Sequence, residues 1–370
     1  MPSPSPIRVA VLMGGISPEH PVSLVSGCGI LANLDPAKYQ GFPVLISKKN
    51  EWMWPKNVGA RGASTTHSTS SGRALSDHEL PLQASEAEAI LQNPPADWNR
   101  IQFPRFTSFP EADVFFIGLH GIGGEDGRLQ GFLEMAGQPF TGSGSLGSSL
   151  SMDKILSKQL YSLHGIPTAP WTILSREEFG EAGAKRVEKE IGLPAVVKHP
   201  TGGSSIGVAV VRTHAELIES ILTIGQTTPR LLVETFLAGR ESTCGVLESF
   251  DQALPPTEIR PNQDAFFSFE AKYQSGRTDE ITPAEFPAEI LTEIQTLARR
   301  AHEALHLSVY SRTDFIWTDK GLFALETNNL PGFTPTSILP QQATCMGISY
   351  RDLVSHILEE SLKQWRAPSV

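Results

Sequence analysis

The 370-residue chain reads as an α/β (α+β) protein of three domains, and three observations predict it. An apolar run at 9–13 ends at Gly14-Gly15 and passes into a helical pattern, which is how a parallel-sheet α/β domain begins. Past Gly142-Ser143-Gly144 the pattern becomes short strands paired around a helix, the sign of a smaller second domain. A third region carries a long amphipathic helix near 288–305 and then a β-hairpin. The expected boundaries are 1–142, 143–238 and 239–370.

Each element has its own signal. Ser17 suits a helix N-cap and Pro18 the first helical position, with Leu24, Cys28, Leu31 and Leu34 on one face. Residues from about 55 to 110 begin with a stretch rich in Ser, Thr, Ala and Gly and read as a surface insertion in the first domain. A strand at 114–119 leads into His120-Gly-Ile-Gly-Gly-Glu125-Asp126-Gly127. The next helix, 153–164, shows Ile155, Leu156, Leu160 and Leu163 and is stopped by Gly165 and Pro167. Strands at 195–198, 208–212 and 231–234 follow, with a helix near 215–224, and a last helix lies near 350–363.

Bulk properties exclude several classes. A net charge of −10 with no basic stripe argues against nucleic acid as a partner. The three cysteines, Cys28, Cys244 and Cys345, are far apart and read as thiols in a reducing compartment. The five-residue apolar run near the start is too short for a signal peptide or a membrane span, which needs about 20 apolar residues. No membrane association and a cytoplasmic location are expected.

The hairpin at 309–328 is the most informative stretch. If Thr318 pairs with Leu322 around the Asp319-Lys320-Gly321 turn, Asp314 faces Glu326 and Arg312 faces Asn328, all on one face. Carboxylates so opposed lie roughly 5 Å apart. Their repulsion is about 3 kcal/mol at an effective dielectric near 20. A bridging cation accounts for that arrangement, and two carboxylates with an amide oxygen suit Mg²⁺ holding phosphates. A polar hairpin face in solvent is the simpler alternative. The following Asn329-Leu330-Pro331-Gly332 turn could present backbone N–H groups to an oxyanion.

The loop Lys198-His-Pro-Thr-Gly202-Gly203-Ser204-Ser205-Ile206-Gly207 has the glycines and hydroxyls to close over phosphates, although it is not a Walker loop. Flanking strands make it a candidate lid with Lys198 beside the phosphates; a flexible hairpin turn is the commoner explanation. Glu234, at a strand end, and Glu241 could accept hydrogen bonds from a ribose.

Taken in order, Lys154 in Ser151-Met152-Asp153-Lys154, the Lys198 loop, Glu234 and Glu241, then Arg312/Asp314 and Glu326/Asn328 resemble an ATP-grasp enzyme. Gly14-Gly15-x-Ser17-x-Glu19-x-x-Val22-Ser23-Leu24, Leu119-His120-Gly121 with Gly124-Glu125-Asp126-Gly127, and Glu270-Ala271-Lys272-Tyr273 narrow the resemblance to the D-alanine–D-alanine ligase family. That resemblance implies an ATP-grasp fold with ATP between the second and third domains. It implies D-alanine and ATP as substrates, two Mg²⁺ (or Mn²⁺) ions, a homodimer, and a place in peptidoglycan precursor synthesis.

By the same resemblance, Lys154, Lys198, Ser204, Ser205, Glu234, Glu241 and Lys272 serve ATP, with Glu241 on the ribose. Asp314, Glu326 and Asn328 hold the metal. Glu19 and His120 bind the first D-alanine, Ser337 the second, and Arg312 with the Gly332 amide stabilises an oxyanion. Glu19, Ser204 and Tyr273 form a hydrogen-bonded set, and Glu125 meets Lys272 when a loop closes. His199, Pro21 and Asn329 depart from the family pattern. A D-alanine–D-lactate ligase, a ligase of another amino-acid pair, and a non-catalytic nucleotide-binding regulator remain as alternatives.

Overall fold

β1 (Ile7–Gly14) lies inside a sheet, so its apolar run is continuous rather than alternating: Val9 through Met13 are fully buried. It runs parallel to β2 (Tyr39–Ile46) on one side and to β7 (Val114–Ile117) on the other. β3 (Glu51–Pro55) and β6 (Trp98–Gln102) extend the sheet antiparallel, in the order β6-β3-β2-β1-β7. These positions come from a computed structural model that describes residues 5–56, 67–68, 74–75, 82–102, 110–202, 207–261 and 278–366.

α1 (His20–Asn33) buries Leu24, Cys28 and Leu31 against that sheet, and Leu34 follows as its C-cap, also buried. Its start differs from the expected one. Ser17 is not the N-cap; its hydroxyl accepts from the Glu19 N–H at 3.1 Å, Glu19 takes the N-cap position without a side-chain cap, and Pro21 sits in the first turn. The chain first makes a turn through Gly14 and Gly15, both at φ +92°, and a Cβ on Gly14 would lie 2.3 Å from the Ile46 carbonyl.

Within the expected insertion, the segment 82–102 packs on the first sheet. α2 (Ala84–Gln92) fully buries Ala87 and Ile90, and β6 buries Trp98 at the sheet edge. The helix is short, three of its five apolar residues are alanines, and its start is a capping box on Gln83 and Glu86, so apolar periodicity gives little warning. β4 (His67–Ser68) pairs with β5 (Ala74–Leu75) in the same span.

α3 (Arg128–Met135) and α4 (Ser145–Met152) lead to α5 (Lys154–Leu163), which starts where expected. Asp153 caps it by accepting from Ile155 and Leu156 N–H groups at 2.9 and 3.3 Å. Its buried face is another matter: Ile155, Lys158 and Tyr161 point inward, while Leu163 is 77% exposed. Apolar periodicity misleads here because a lysine, Lys158, takes a place on the buried face.

The second sheet is antiparallel, in the order β10-β9-β11-β8, from β8 (Trp171–Ser175), β9 (Ala195–Lys198), β10 (Val208–Val211) and β11 (Arg230–Thr235). α6 (Glu181–Glu190) and α7 (His214–Ile224) cover it, and its core runs from Leu174 to Val233 without outside members.

The third sheet comprises β12 (Arg240–Leu247), β13 (Thr257–Pro261), β14 (Thr278–Ile281), β15 (Tyr310–Thr318) and β16 (Gly321–Asn328), ordered β14-β13-β12-β15-β16. α8 (Ala288–Ala304) lies on it. α9 (Ile338–Cys345) and α10 (Tyr350–Arg366) return to the first sheet, where Leu353, Val354, Ile357 and Leu358 join the core of β1.

The hairpin register corrects the expected one. Thr318 pairs with Gly321, not Leu322, so the turn is one residue tighter. A bulge between Asp314/Phe315 then makes up the difference, and Asp314 still faces Glu326 and Arg312 still faces Asn328. Because of the bulge, the consecutive residues Leu325 and Glu326 both reach the same cleft, which strict alternation forbids. No helix among the described residues is long and apolar enough to cross a membrane.

Candidate active site

A cleft of about 680 Å³ opens between the second and third sheets, an ordinary size for a small-molecule site. β9 and β11 supply Lys198 and Glu234; the third sheet supplies Glu241, Asp314 and Glu326; Lys154 enters from the start of α5. Several charged groups in its walls are held in ion pairs. Lys154 Nζ lies 2.9 Å from Glu326 and also donates to the Gly202 carbonyl at 2.7 Å. Its backbone N–H donates to Pro200, so Lys154 is fastened to both ends of the segment that enters the 201–207 loop. Lys198 Nζ lies 3.1 Å from one Glu234 oxygen, and Lys158 Nζ lies 3.3 Å from the other. Arg312 reaches Asp314 at 3.1 and 3.4 Å, and Thr243 donates to the same carboxylate at 2.5 Å.

Those pairs change the reasoning about the hairpin. Asp314 and Glu326 do face each other, but each has a cation from the chain, so their repulsion is relieved without a bridging metal. Burial works against the Lys154 charge, yet Glu326 beside it holds its pKa above the ordinary lysine value. For Glu234, burial alone would raise the pKa; Lys158 and then Lys198 bring it below the usual carboxylate range. No group of three or more His, Cys, Asp or Glu suited to a metal occurs among the described residues. The set Asp314, Glu326 and Asn328 offers two carboxylates and one amide, oxygen donors that fit a hard cation sharing its shell with phosphates.

A second group adjoins the cleft where β1 and β7 end. His120 is 5% exposed, and its Nδ1 donates to the Leu330 carbonyl at 3.2 Å while Nε2 accepts from Ser26 at 2.9 Å. Burial lowers its pKa and keeps it neutral. Glu125 accepts from the Gly121 N–H at 2.8 Å; burial first, and Glu19 second, push its pKa up to about 8. Gly121, at φ +69°, lets the two loops meet: a Cβ there would stand 2.4 Å from both Glu19 Oε2 and Ser17 Oγ. Gly332 packs beside Ser337, and the Ser337 hydroxyl accepts from the Thr334 N–H at 3.0 Å at the start of α9.

The structure thus gathers Lys154, Lys198, Glu234, Glu241, Asp314 and Glu326 around one cleft, with Arg312 and Asn328 beside Asp314. Glu19, His120, Gly332 and Ser337 belong to the adjoining group. Ser204, Ser205, Lys272 and Tyr273 lie outside the described residues. Sequence reasoning missed Lys158, and it missed a rim cluster in which Arg240 and Arg260 share Glu258. Arg240 also stacks on Phe286, 4.3 Å from the ring centre. Asn329, a departure from the family pattern, is buried and donates to the Glu125 carbonyl at 3.2 Å, joining the two groups.

Comparisons with known proteins agree on one family. The family model described as D-ala D-ala ligase N-terminus matches residues 8–143, and that described as D-ala D-ala ligase C-terminus matches 160–359. The chain is 38% identical to a D-alanine–D-alanine ligase of Leptospira biflexa, over 97% of this chain and 99% of the relative. A Bacillus anthracis D-alanine–D-alanine ligase complexed with ATP is 29% identical with a TM-score of 0.71, covering 98% of this chain and 100% of the other. The VanG D-Ala:D-Ser ligase of Enterococcus faecalis is 27% identical with a TM-score of 0.80, covering 96% and 99%. The chain therefore has the ATP-grasp fold and belongs to the D-alanine–D-alanine ligase family.

Proposed function

We propose that this protein joins two D-alanines at the expense of ATP, through a D-alanyl phosphate, to supply peptidoglycan precursors. The observation that carries it is the cleft in which Lys154 and Lys198 stand against Glu326 and Glu234, beside the opposed Asp314. A carboxylate is a poor acylating agent. In the first step its oxygen attacks the γ-phosphorus and ADP leaves. In the second, the amine of the other D-alanine attacks the acyl carbon, phosphate leaves, and the nitrogen gives up its proton.

On this reading Lys154, Lys198 and Lys272, with Ser204 and Ser205 of the loop, hold the phosphates, and Glu241 takes the ribose. Asp314, Glu326 and Asn328 hold Mg²⁺ or Mn²⁺, which spreads the charge of the phosphoryl group when bound. Lys154 then exchanges Glu326 for a phosphate, so a pair already formed within the chain is traded for two new ones. Glu19 takes the ammonium of the first D-alanine, with His120 near its carboxylate, and Ser337 takes the carboxylate of the second. Arg312 and the Gly332 amide stabilise the tetrahedral oxyanion. Tyr273 and Ser204 tie the closing segments to Glu19, which excludes water from the acyl phosphate.

The same reading divides the chain at 1–142, 143–238 and 239–370. The self-contained core of the second sheet supports the middle unit. It also includes a cytoplasmic homodimer, and a monomer mass by light scattering would remove that part. The test of the reaction is ADP release from ATP and Mg²⁺ that depends on D-alanine, with the dipeptide identified. L-alanine, and D-lactate or D-serine mixed with D-alanine, serve as controls. ATP binding without D-alanine-dependent turnover would refute it; a mixed product preferred over the dipeptide would move the acceptor.

A further inference from the structure

Lys158 is 0% exposed and does not line the cleft, yet it belongs to the charge network of the cleft. Lysine is almost never buried so fully without a partner. Its ammonium lies 3.3 Å from Glu234 Oε1 and donates to the Thr168 hydroxyl, which itself donates to the Ala324 carbonyl at 3.0 Å. Glu234, 2% exposed, holds Lys198 through its other oxygen at 3.1 Å, and Lys198 does line the cleft. One buried carboxylate therefore stands between an interior lysine and a cleft lysine.

The two lysines differ in what they can do. Lys198 sits at the end of β9 and can turn toward a ligand; Lys158 is packed among α5, β11 and β16. When phosphates draw Lys198 away, Glu234 stays behind in a buried site. An ionised carboxylate left there without a cation is strongly disfavoured, so Lys198 would be held back. Burial pushes the Lys158 pKa down to about 8, with Glu234 opposing that shift.

We propose that Lys158 is a positioning residue for ATP binding: it is the standing counter-ion of Glu234, which lets Lys198 leave for the phosphates. The proposal rests on the reading that ATP occupies this cleft.

The test is ATP affinity by calorimetry on the full chain with Mg²⁺ and no D-alanine, together with kcat at saturating ATP. Lys158→Met should weaken ATP binding about 10- to 100-fold, as for loss of a charge-assisted contact, with kcat falling less than about 3-fold. Lys158→Arg, which keeps the charge, should bind within about 3-fold of the unmutated protein. The decisive variant is Lys158→Met with Glu234→Gln. Removing the carboxylate removes the need for its counter-ion, so the double variant should bind ATP like Glu234→Gln alone.

Unchanged affinity in Lys158→Met would overturn the proposal, as would a double variant as weak as Lys158→Met. If Lys158→Met does not fold, the double variant compared with Glu234→Gln carries the test, and its failure to fold also overturns the proposal. ATP binding by the unmutated protein without D-alanine-dependent ADP release would refute the ligase reading while leaving the Lys158 result in force.

Discussion

The cleft between the second and third sheets and the adjoining Glu19–His120–Glu125 group both carry buried charge, but they treat it in opposite ways. In the cleft Glu326, Glu234 and Asp314 each have a cation at contact distance: Lys154 on Glu326, Lys158 and Lys198 on Glu234, Arg312 on Asp314. In the adjoining group two acids lie close to each other, and Glu125 is driven toward its protonated form. On the proposed reading the cleft exchanges these partners when an anionic ligand arrives. On the same proposed reading the second group, with Glu19 among its members, takes a ligand that brings its own positive charge, as an amino acid does.

Four variants sharpen that contrast. Arg312→Met should have the largest effect, lowering kcat about 10²- to 10³-fold as expected for loss of an oxyanion donor. Steady-state ADP release checks it, and a change in KM alone would move Arg312 out of that role. Lys154→Met should raise KM for ATP about 10- to 100-fold, because it removes a charge-assisted contact. An unchanged KM would mean that Lys154 stays on Glu326 throughout turnover.

Glu125→Gln tests the second group through pH. The Glu125 carboxyl titrates near 4.5 in the unfolded chain and near 8 when folded, so folding favours its protonated form. Its stabilising contribution is complete below pH 4.5 and is lost as pH rises toward 8. The loss amounts to a few kcal/mol at about 1.4 kcal/mol per pH unit. Denaturant melts from pH 5 to 9 should show that decline in the unmutated protein and a flatter profile in Glu125→Gln. Parallel profiles would place the charge strain elsewhere.

Tyr161→Phe should have the smallest effect. The Tyr161 hydroxyl is 2.6 Å from Thr327, and Thr327 is 2.8 Å from Thr313, so the change breaks one buried hydrogen bond behind the hairpin. About 1 kcal/mol of stability should be lost with activity retained. A large fall in kcat would show that the hairpin needs this support to hold Asp314 and Glu326.

The sequence made the cleft more readable than the second group. Asp314, Glu326, Arg312 and Asn328 lie on two strands joined by a short turn, where period-two alternation fixes which side chains share a face. The turn was misplaced by one residue, but the bulge cancelled the error. Lys158 was not readable, because nothing in α5 distinguishes a lysine that points inward from one that points to solvent. The 82–102 segment reads as surface for a related reason: its few buried apolar residues, Leu82, Ala87, Ile90 and Trp98, are too sparse to form a pattern. The bond from Asn329 to the Glu125 carbonyl joins loops 204 residues apart, which no local spacing encodes.

The most direct measurement follows the oxygen. D-alanine labelled with ¹⁸O in its carboxylate is turned over with ATP and Mg²⁺, and the released phosphate is analysed by mass. If the carboxylate takes the γ-phosphoryl group in this cleft, one labelled oxygen per turnover must appear in the phosphate. Dipeptide formed alongside unlabelled phosphate would contradict the acyl-phosphate route.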